Sequence, residues 1–254
     1  MYTPTSALPD EFVGRRVLVT GGSRGIGAAI AQRLIDGGAV VATSARTKTD
    51  ETPKDSTFLT ADLRSAEGAR ELIERAANVL GGLDILVNAA GAARTHLAGP
   101  AAVPDEEWLD SLNINFLAAV RVTNAALPAL KESGRGAAVV NISTGVVKDV
   151  PPPVAHYAAA KAALNVYSRA LAKAVAPEGI RVNIVSPGPV ETEGGLDVLR
   201  PIAEAMGAPI EAVGQSIPLG RFGDSRDIAE IVAFLASARA QWITGADFDI
   251  NGGQ

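Results

Sequence analysis

Residues 17–34 read VLVTGGSRGIGAAIAQRL. Val17 to Thr20 form a short β-branched run of strand character, Gly21 to Gly25 a glycine-rich turn, and an alanine-rich helix begins near Arg24. Gly21, Gly25 and Gly27 allow a tight turn, a close approach of backbone to an anion, and seating of the helix on the sheet. The helix start offers unpaired N–H groups and the positive end of the macrodipole, so the turn suits the pyrophosphate of a dinucleotide. The spacing is G-x-x-x-G-x-G and not G-x-G-x-x-G, so the strand, turn and helix context carries the reading.

Outward from this unit the same grammar repeats. Strands are expected near 17–20, 40–44, 57–60, 84–88, 137–143, 180–186 and 247–250, with helices between nearly all of them. VLVT, ILVN and AVVNIS are apolar on both faces, as strands covered by helices above and below must be. The expected fold is an α/β, Rossmann-type doubly wound parallel sheet of about seven strands with helices on both faces. An eight-stranded barrel is the rival, but it would place its phosphate site late in the chain. No linker or repeat divides the sequence, so residues 1–254 are expected to form a single dinucleotide-binding catalytic domain. The glycine- and proline-punctuated stretch 191–223 is expected to act as a substrate cover over the carboxyl ends of the strands.

Two competing motifs fall away. Gly21-Gly22-Ser23-Arg24-Gly25 fits the G-x-S-x-G nucleophile elbow, yet such an elbow normally follows several strands and only one precedes Ser23, which disfavours an esterase. Asn141-Ile142-Ser143 fits a glycosylation acceptor but lies in an expected buried strand.

Composition narrows the function. With 47% hydrophobic and 20% charged residues the chain is neither disordered nor fibrous, and its net charge of -5 without a basic stripe argues against nucleic acid. The absence of cysteine removes thiolate chemistry, disulfides and Cys-based zinc sites. His96 and His156 are far apart in the chain and lack a carboxylate-rich companion motif, so no metal is expected and neither histidine is assigned a role. The opening MYTPTSALPDEF has no basic start and no apolar stretch, and no later segment reaches membrane-span length, so a cytoplasmic enzyme acting on a small molecule is expected.

Tyr157 and Lys161 stand at i and i+4 of one expected helix, hence on one face. With Thr20-Gly21-x3-Gly25-Ile26-Gly27, Asn88-Ala89-Ala90-Gly91 after the fourth strand and Pro187-Gly188-Pro189-Val190 after the sixth, the pair resembles the short-chain dehydrogenase/reductase family, from about Phe12 to Gly253. The resemblance implies a nicotinamide cofactor and reversible hydride transfer between a carbonyl and an alcohol. It makes Tyr157 the general acid/base, Lys161 its electrostatic support and a partner of the nicotinamide ribose, and Asn115 the residue that fixes a water on the proton path. It also makes Gly21, Ser23, Arg24, Gly25, Ile26, Gly27, Asp62, Leu63, the run from Asn88 through Ala89 and Ala90 to Gly91, Pro187, Gly188, Val190 and Thr192 cofactor contacts. Members carry a serine thirteen positions before the tyrosine to orient the carbonyl. That position is Thr144 here, which is favoured over its neighbour Ser143 as the orienting hydroxyl.

Independent physics supports the pair. A phenol with a pKa about 10 is a poor proton carrier at neutral pH, and a cation at roughly 4 Å in a partly buried site is worth about three pKa units, which Lys161 together with oxidised nicotinamide is expected to supply. The second strand points to the cofactor: an acid there would bind both ribose hydroxyls of NAD, whereas here stand Ala45 and Arg46. With Arg24 and Ser23 or Ser44 nearby, the pocket favours the 2′-phosphate of NADP(H) over NAD(H). The aliphatic surroundings of Ala92 to His96 and Thr144 to Val154 suit a small or medium apolar ketone. A 3-oxoacyl carrier-protein reductase is one alternative and a non-catalytic NADP-binding sensor another, the latter disfavoured by the intact Tyr157, Lys161 and Asn115. By the family resemblance, helices over 105–131 and 154–175 form the interface of a homotetramer, or of a dimer.

Overall fold

The computed structural model describes residues 10–254; the reading of the N-terminal stretch falls mostly on residues outside that range. Seven strands, β1 (Arg16–Thr20), β2 (Val40–Ala45), β3 (Thr57–Thr60), β4 (Ile85–Asn88), β5 (Ala137–Ile142), β6 (Ile180–Pro187) and β7 (Asp247–Ile250), form one sheet in the order 3-2-1-4-5-6-7. Every neighbouring pair is parallel. The order reverses between β1 and β4, which opens a crevice at the carboxyl ends of the strands.

Alternation along the strands divides the core. Val17 and Val19 of β1 and Ile85 and Val87 of β4 face α1 (Gly25–Asp36) and, across it, α8 (Ser225–Ala236). Leu18 and Leu86 face the other way, towards α2 (Ala66–Leu80) and α4 (Ala118–Lys131). Each of these side chains is fully buried, contributing about 1.5–3 kcal/mol apiece by area.

The stretch 105–131 is not one helix. It divides into α3 (Asp105–Leu112), a π-helical turn (Asn113–Leu117) and α4. A π turn inserts a residue into the helical ladder, and here it carries the buried Asn115. Between β2 and β3 the chain runs through 46–56 without a helix, and the cover stretch carries α6 (Glu193–Ala205) and α7 (Ile210–Ser216).

A charged clamp closes the amino end of the sheet. The Arg16 guanidinium grips Asp84 with Nε to Oδ2 at 3.0 Å and Nη2 to Oδ1 at 2.7 Å. Ser133 Oγ donates to Oδ1 at 2.7 Å. Burial alone would raise the Asp84 carboxyl, but the bonds from Arg16 and Ser133 outweigh it and hold the group at about 2. Among the described residues no helix is long and apolar enough to cross a membrane.

Candidate active site

The glycine turn joins three connections at the crevice. Gly21 has φ +67°, and a Cβ there would stand 2.8 Å from the Ala89 carbonyl and the Ala90 backbone. A Cβ on Gly27 would stand 2.2 Å from the Gly21 carbonyl, so the helix start can press against the turn only with glycine at this place. Thr192, which follows β6 and caps α6 by accepting from Gly195 N at 3.0 Å, packs against Gly25. Residues 21–27, 89–91 and 187–192 thus border one space although they are far apart in sequence.

Sequence reasoning missed what the 46–56 connection brings to this turn. Glu51 Oε2 accepts from Gly25 N at 2.8 Å, and Thr52 Oγ1 donates to the Ser23 carbonyl at 3.2 Å, as does Thr49 Oγ1. The available signal was the short, non-periodic link after β2, which must fold back across the turn. Arg24 Nη1 meets Glu193 at 3.0 Å with both side chains exposed, while Arg46 is exposed and forms no ion pair among the described residues. An open cleft of about 500 Å³ lies outside the turn, lined by Gly25, Glu51, Thr192, Glu193 and Arg226, and includes none of Asn115, Thr144, Tyr157 or Lys161. Glu51, Glu191 and Glu193 give its wall negative charge, and the other four residues lie at the carboxyl ends of the strands.

Those four residues gather at that end. Tyr157 and Lys161 lie one turn apart on α5 (Ala155–Val175). Lys161 is buried, and its Nζ donates to the Ile142 carbonyl at 2.7 Å. Asn115 locks the start of the β4–α3 connection: Nδ2 donates to the Ala92 carbonyl at 2.8 Å, and Oδ1 accepts from Ala92 N at 3.0 Å. A Cβ on Gly91 would lie 2.9 Å from Asn115 Oδ1 and 3.5 Å from Lys161 Nζ, so these groups crowd around one glycine.

Burial pushes the Tyr157 phenol up to about 12, opposed by a side-chain hydrogen-bonding interaction with Thr144. Burial pulls the Lys161 ammonium down to about 8. Desolvation dominates both groups, and the lysine is engaged with a strand carbonyl.

β5 ends at Ile142, one residue earlier than expected, because after Ser143 N donates to Val185 O at 2.7 Å the chain turns into a 3-10 segment, Gly145–Val147. Thr144 faces Tyr157 and its hydroxyl accepts from Val146 N at 3.4 Å, whereas Ser143 Oγ is buried without a partner. Asn88 turns its amide into the helical layer, donating to Thr123 at 2.9 Å and Asn141 at 2.8 Å. Asp62 is exposed beside Arg64, while Leu63 is buried in the core. Gly188 N donates to the Ile250 carbonyl at 2.9 Å, tying the turn after β6 to β7. Ala45 ends β2 half-buried.

His96 and His156, distant in the chain, come together with ring centroids 5.1 Å apart at an angle of 83°. The connection after β4 and the start of α5 both arise at the carboxyl ends of adjacent strands, which sequence separation conceals. Burial, and then the neighbouring His96, hold His156 below the ordinary histidine range.

A parallel sheet whose glycine turn and Tyr–Lys pair share one crevice is the framework of a nucleotide-binding, Rossmann-type oxidoreductase. Comparison with known proteins reaches the same class. The family model described as enoyl-(acyl carrier protein) reductase matches residues 21–254. An uncharacterised oxidoreductase of Methylorubrum extorquens is 40% identical, covering 96% of this chain and 99% of its own. The 3-oxoacyl-[acyl-carrier-protein] reductase of Escherichia coli is 38% identical over 96% and 98% of the two chains. Among solved structures, the aldohexose dehydrogenase of Thermoplasma acidophilum superposes with a TM-score of 0.85 at 27% identity, covering 96% of this chain and 94% of that one. A dehydrogenase/reductase of Sinorhizobium meliloti gives 0.84 at 32% identity, covering 96% of each chain. The chain belongs to the short-chain dehydrogenase/reductase family and is an oxidoreductase of the carbonyl/alcohol type.

Proposed function

We propose that the protein is an NADP(H)-dependent reductase, working reversibly on a small or medium, mostly apolar ketone or the matching secondary alcohol, with Tyr157 as general acid/base. The observation that carries this reading is the convergence of Tyr157, Lys161, Asn115 and Thr144 at the strand ends beside the glycine turn. The turn suits a dinucleotide: Gly21 and Gly27 let the turn, residues 89–90 and the start of α1 pack backbone against backbone, and the Arg24 N-cap puts no side-chain cap on the first turn of α1. When bound, the cofactor supplies or accepts the hydride.

The protein's own groups do the rest. Tyr157, kept protonated by burial, is ready to give its proton to a carbonyl oxygen, and Thr144 beside it orients that oxygen by hydrogen bonding. Lys161, held by the Ile142 carbonyl, would hold the nicotinamide ribose and support the phenolate side of the exchange. The Asn115 amide is engaged with Ala92 and Ser111, so its part in holding a water falls to the backbone of the π turn. Preference for the 2′-phosphate rests on Ala45 in place of an acid and on Arg46 free of any carboxylate partner among the described residues. For Arg24 to join it, its contact with Glu193 would have to open, and Glu51 would have to release Gly25 N to the phosphates. The remaining contacts are the cofactor residues named above from sequence.

Residues 1–254 act as one catalytic domain, with 191–223 as the cover; Thr95 Oγ1 already bonds the Val198 carbonyl of α6 at 2.9 Å. We place the enzyme in the cytoplasm as a homotetramer. A second reading, 3-oxoacyl carrier-protein reduction, is favoured by relatives such as that of Escherichia coli. Following NADPH and NADH oxidation with a panel of apolar ketones and a 3-oxoacyl thioester decides between them. Faster turnover of free ketones with NADPH is the expected result; thioester preference supports the second reading, and no turnover of any carbonyl supports a sensor.

A further inference from the structure

His96, in the connection after β4, Glu107 on α3, and His156 at the start of α5 each offer one donor atom, and the three donors lie within 4.8 Å of one another. His156 is 2% exposed, and its Nδ1 is buried without a hydrogen-bond partner; His96 Nε2 is likewise buried and unpartnered. Two orphaned imidazole nitrogens side by side are costly to bury, and ordinary packing would give each a donor or acceptor. The rings meet edge to face and Trp108 lies edge-on to His156 at 6.1 Å, which leaves the imidazoles little room to rotate towards other partners. Arg94 pairs with Glu107 through Oε1, an outer contact that orients the carboxylate.

We propose that His96, Glu107 and His156 form a divalent-cation site suited to zinc, joining the β4–α3 connection, α3 and the first turn of α5. Two imidazoles and a carboxylate are a zinc donor set, with water in the fourth position. Tetrahedral bonds of about 2.0–2.2 Å space the donors about 3.4 Å apart, so each donor moves inward by about 1 Å. The metal so held is structural: it braces the helix start that carries Tyr157 and takes no part in hydride transfer. The site stands independently of the proposed substrate and cofactor.

The composition makes the test clean, because these are the only two histidines and the chain has no cysteine. The full tag-free chain, stripped with chelator, is titrated with zinc chloride by calorimetry while the two imidazole signals are followed by NMR. One zinc per chain with micromolar or tighter affinity is expected, both imidazole signals shifting together. Loss of an outer-shell partner alone costs about 10–100-fold in metal affinity, so His96→Gln and Glu107→Gln are each expected to weaken binding at least about 100-fold. Both positions are partly exposed, and circular dichroism verifies that the variants fold. Absence of saturable binding, unmoved imidazole signals, or undiminished affinity in both variants would overturn the site.

Discussion

Tyr157 is a phenol whose charged form is disfavoured by burial and whose nearest polar influence is Thr144. Tyr157→Phe keeps the ring and removes the proton, so kcat is expected to fall at least about 100-fold while cofactor affinity, read by fluorescence titration, stays the same. Near-normal turnover would remove Tyr157 from the mechanism. The neighbouring hydroxyls separate by the same logic. Thr144 faces the phenol, so Thr144→Ala is expected to cost roughly 10²–10³ in kcat and Thr144→Ser little. Ser143 Oγ is buried with no partner, so Ser143→Ala removes an unsatisfied group and is expected to leave kcat nearly unchanged. The reverse pattern in steady-state kinetics would exchange the two roles. From sequence these residues were adjacent candidates; their surroundings differ, because Ser143 Oγ is buried without a partner while the Thr144 hydroxyl caps the turn that starts at Gly145.

Elements carry the next two expectations. The connection 46–56 leaves Arg46 in solvent and lays Glu51 on the start of α1. Arg46→Ala removes one charge-assisted contact to a 2′-phosphate, worth about 1.5–3 kcal/mol, so NADPH is expected to weaken roughly 10- to 150-fold and NADH hardly at all. Equal losses in paired titrations would make Arg46 structural. At the other end of the sheet Asp84 joins β1 through Arg16 and the segment after α4 through Ser133. Its folded pKa, about 2, lies below the ordinary aspartate value of 3.8. The unfolded chain therefore takes up the proton first, and the stabilisation is complete above about pH 4 and lost as pH falls towards 2. The change amounts to about 2 kcal/mol. Urea unfolding between pH 4 and 2 is expected to show this loss in the wild type and not in Asp84→Asn, which starts less stable because Arg16 loses its anion; parallel curves would exclude the clamp as the acid-sensitive element.

At the scale of the whole molecule, apolar surface remains on α3 and α5, where Leu109 and Val166 are each 66% exposed, and Trp242, ahead of β7, is fully exposed. Of the alanines on α5, Ala158 and Ala160 are buried while Ala159, Ala162 and Ala163 are exposed or half-buried, leaving a small-residue face for close helix approach. Light scattering is expected to return a tetramer; a mass of one 26.0 kDa chain would refute the assembly. The parallel sheet, the glycine turn after β1 and the Tyr157–Lys161 pair were all legible in the chain, because periodicity, glycine spacing and the i,i+4 relation are local and each is dictated by a few consecutive residues. Groups brought together by different crossovers were not. Glu51 on the glycine turn, the Asn88–Asn141 bond between strands, and the meeting of His96 with His156 depend on strand order and on where each connection emerges, which no local pattern encodes. The desolvation that raises the Tyr157 phenol and lowers the Lys161 ammonium belongs with them, because it exists only once the chain has folded.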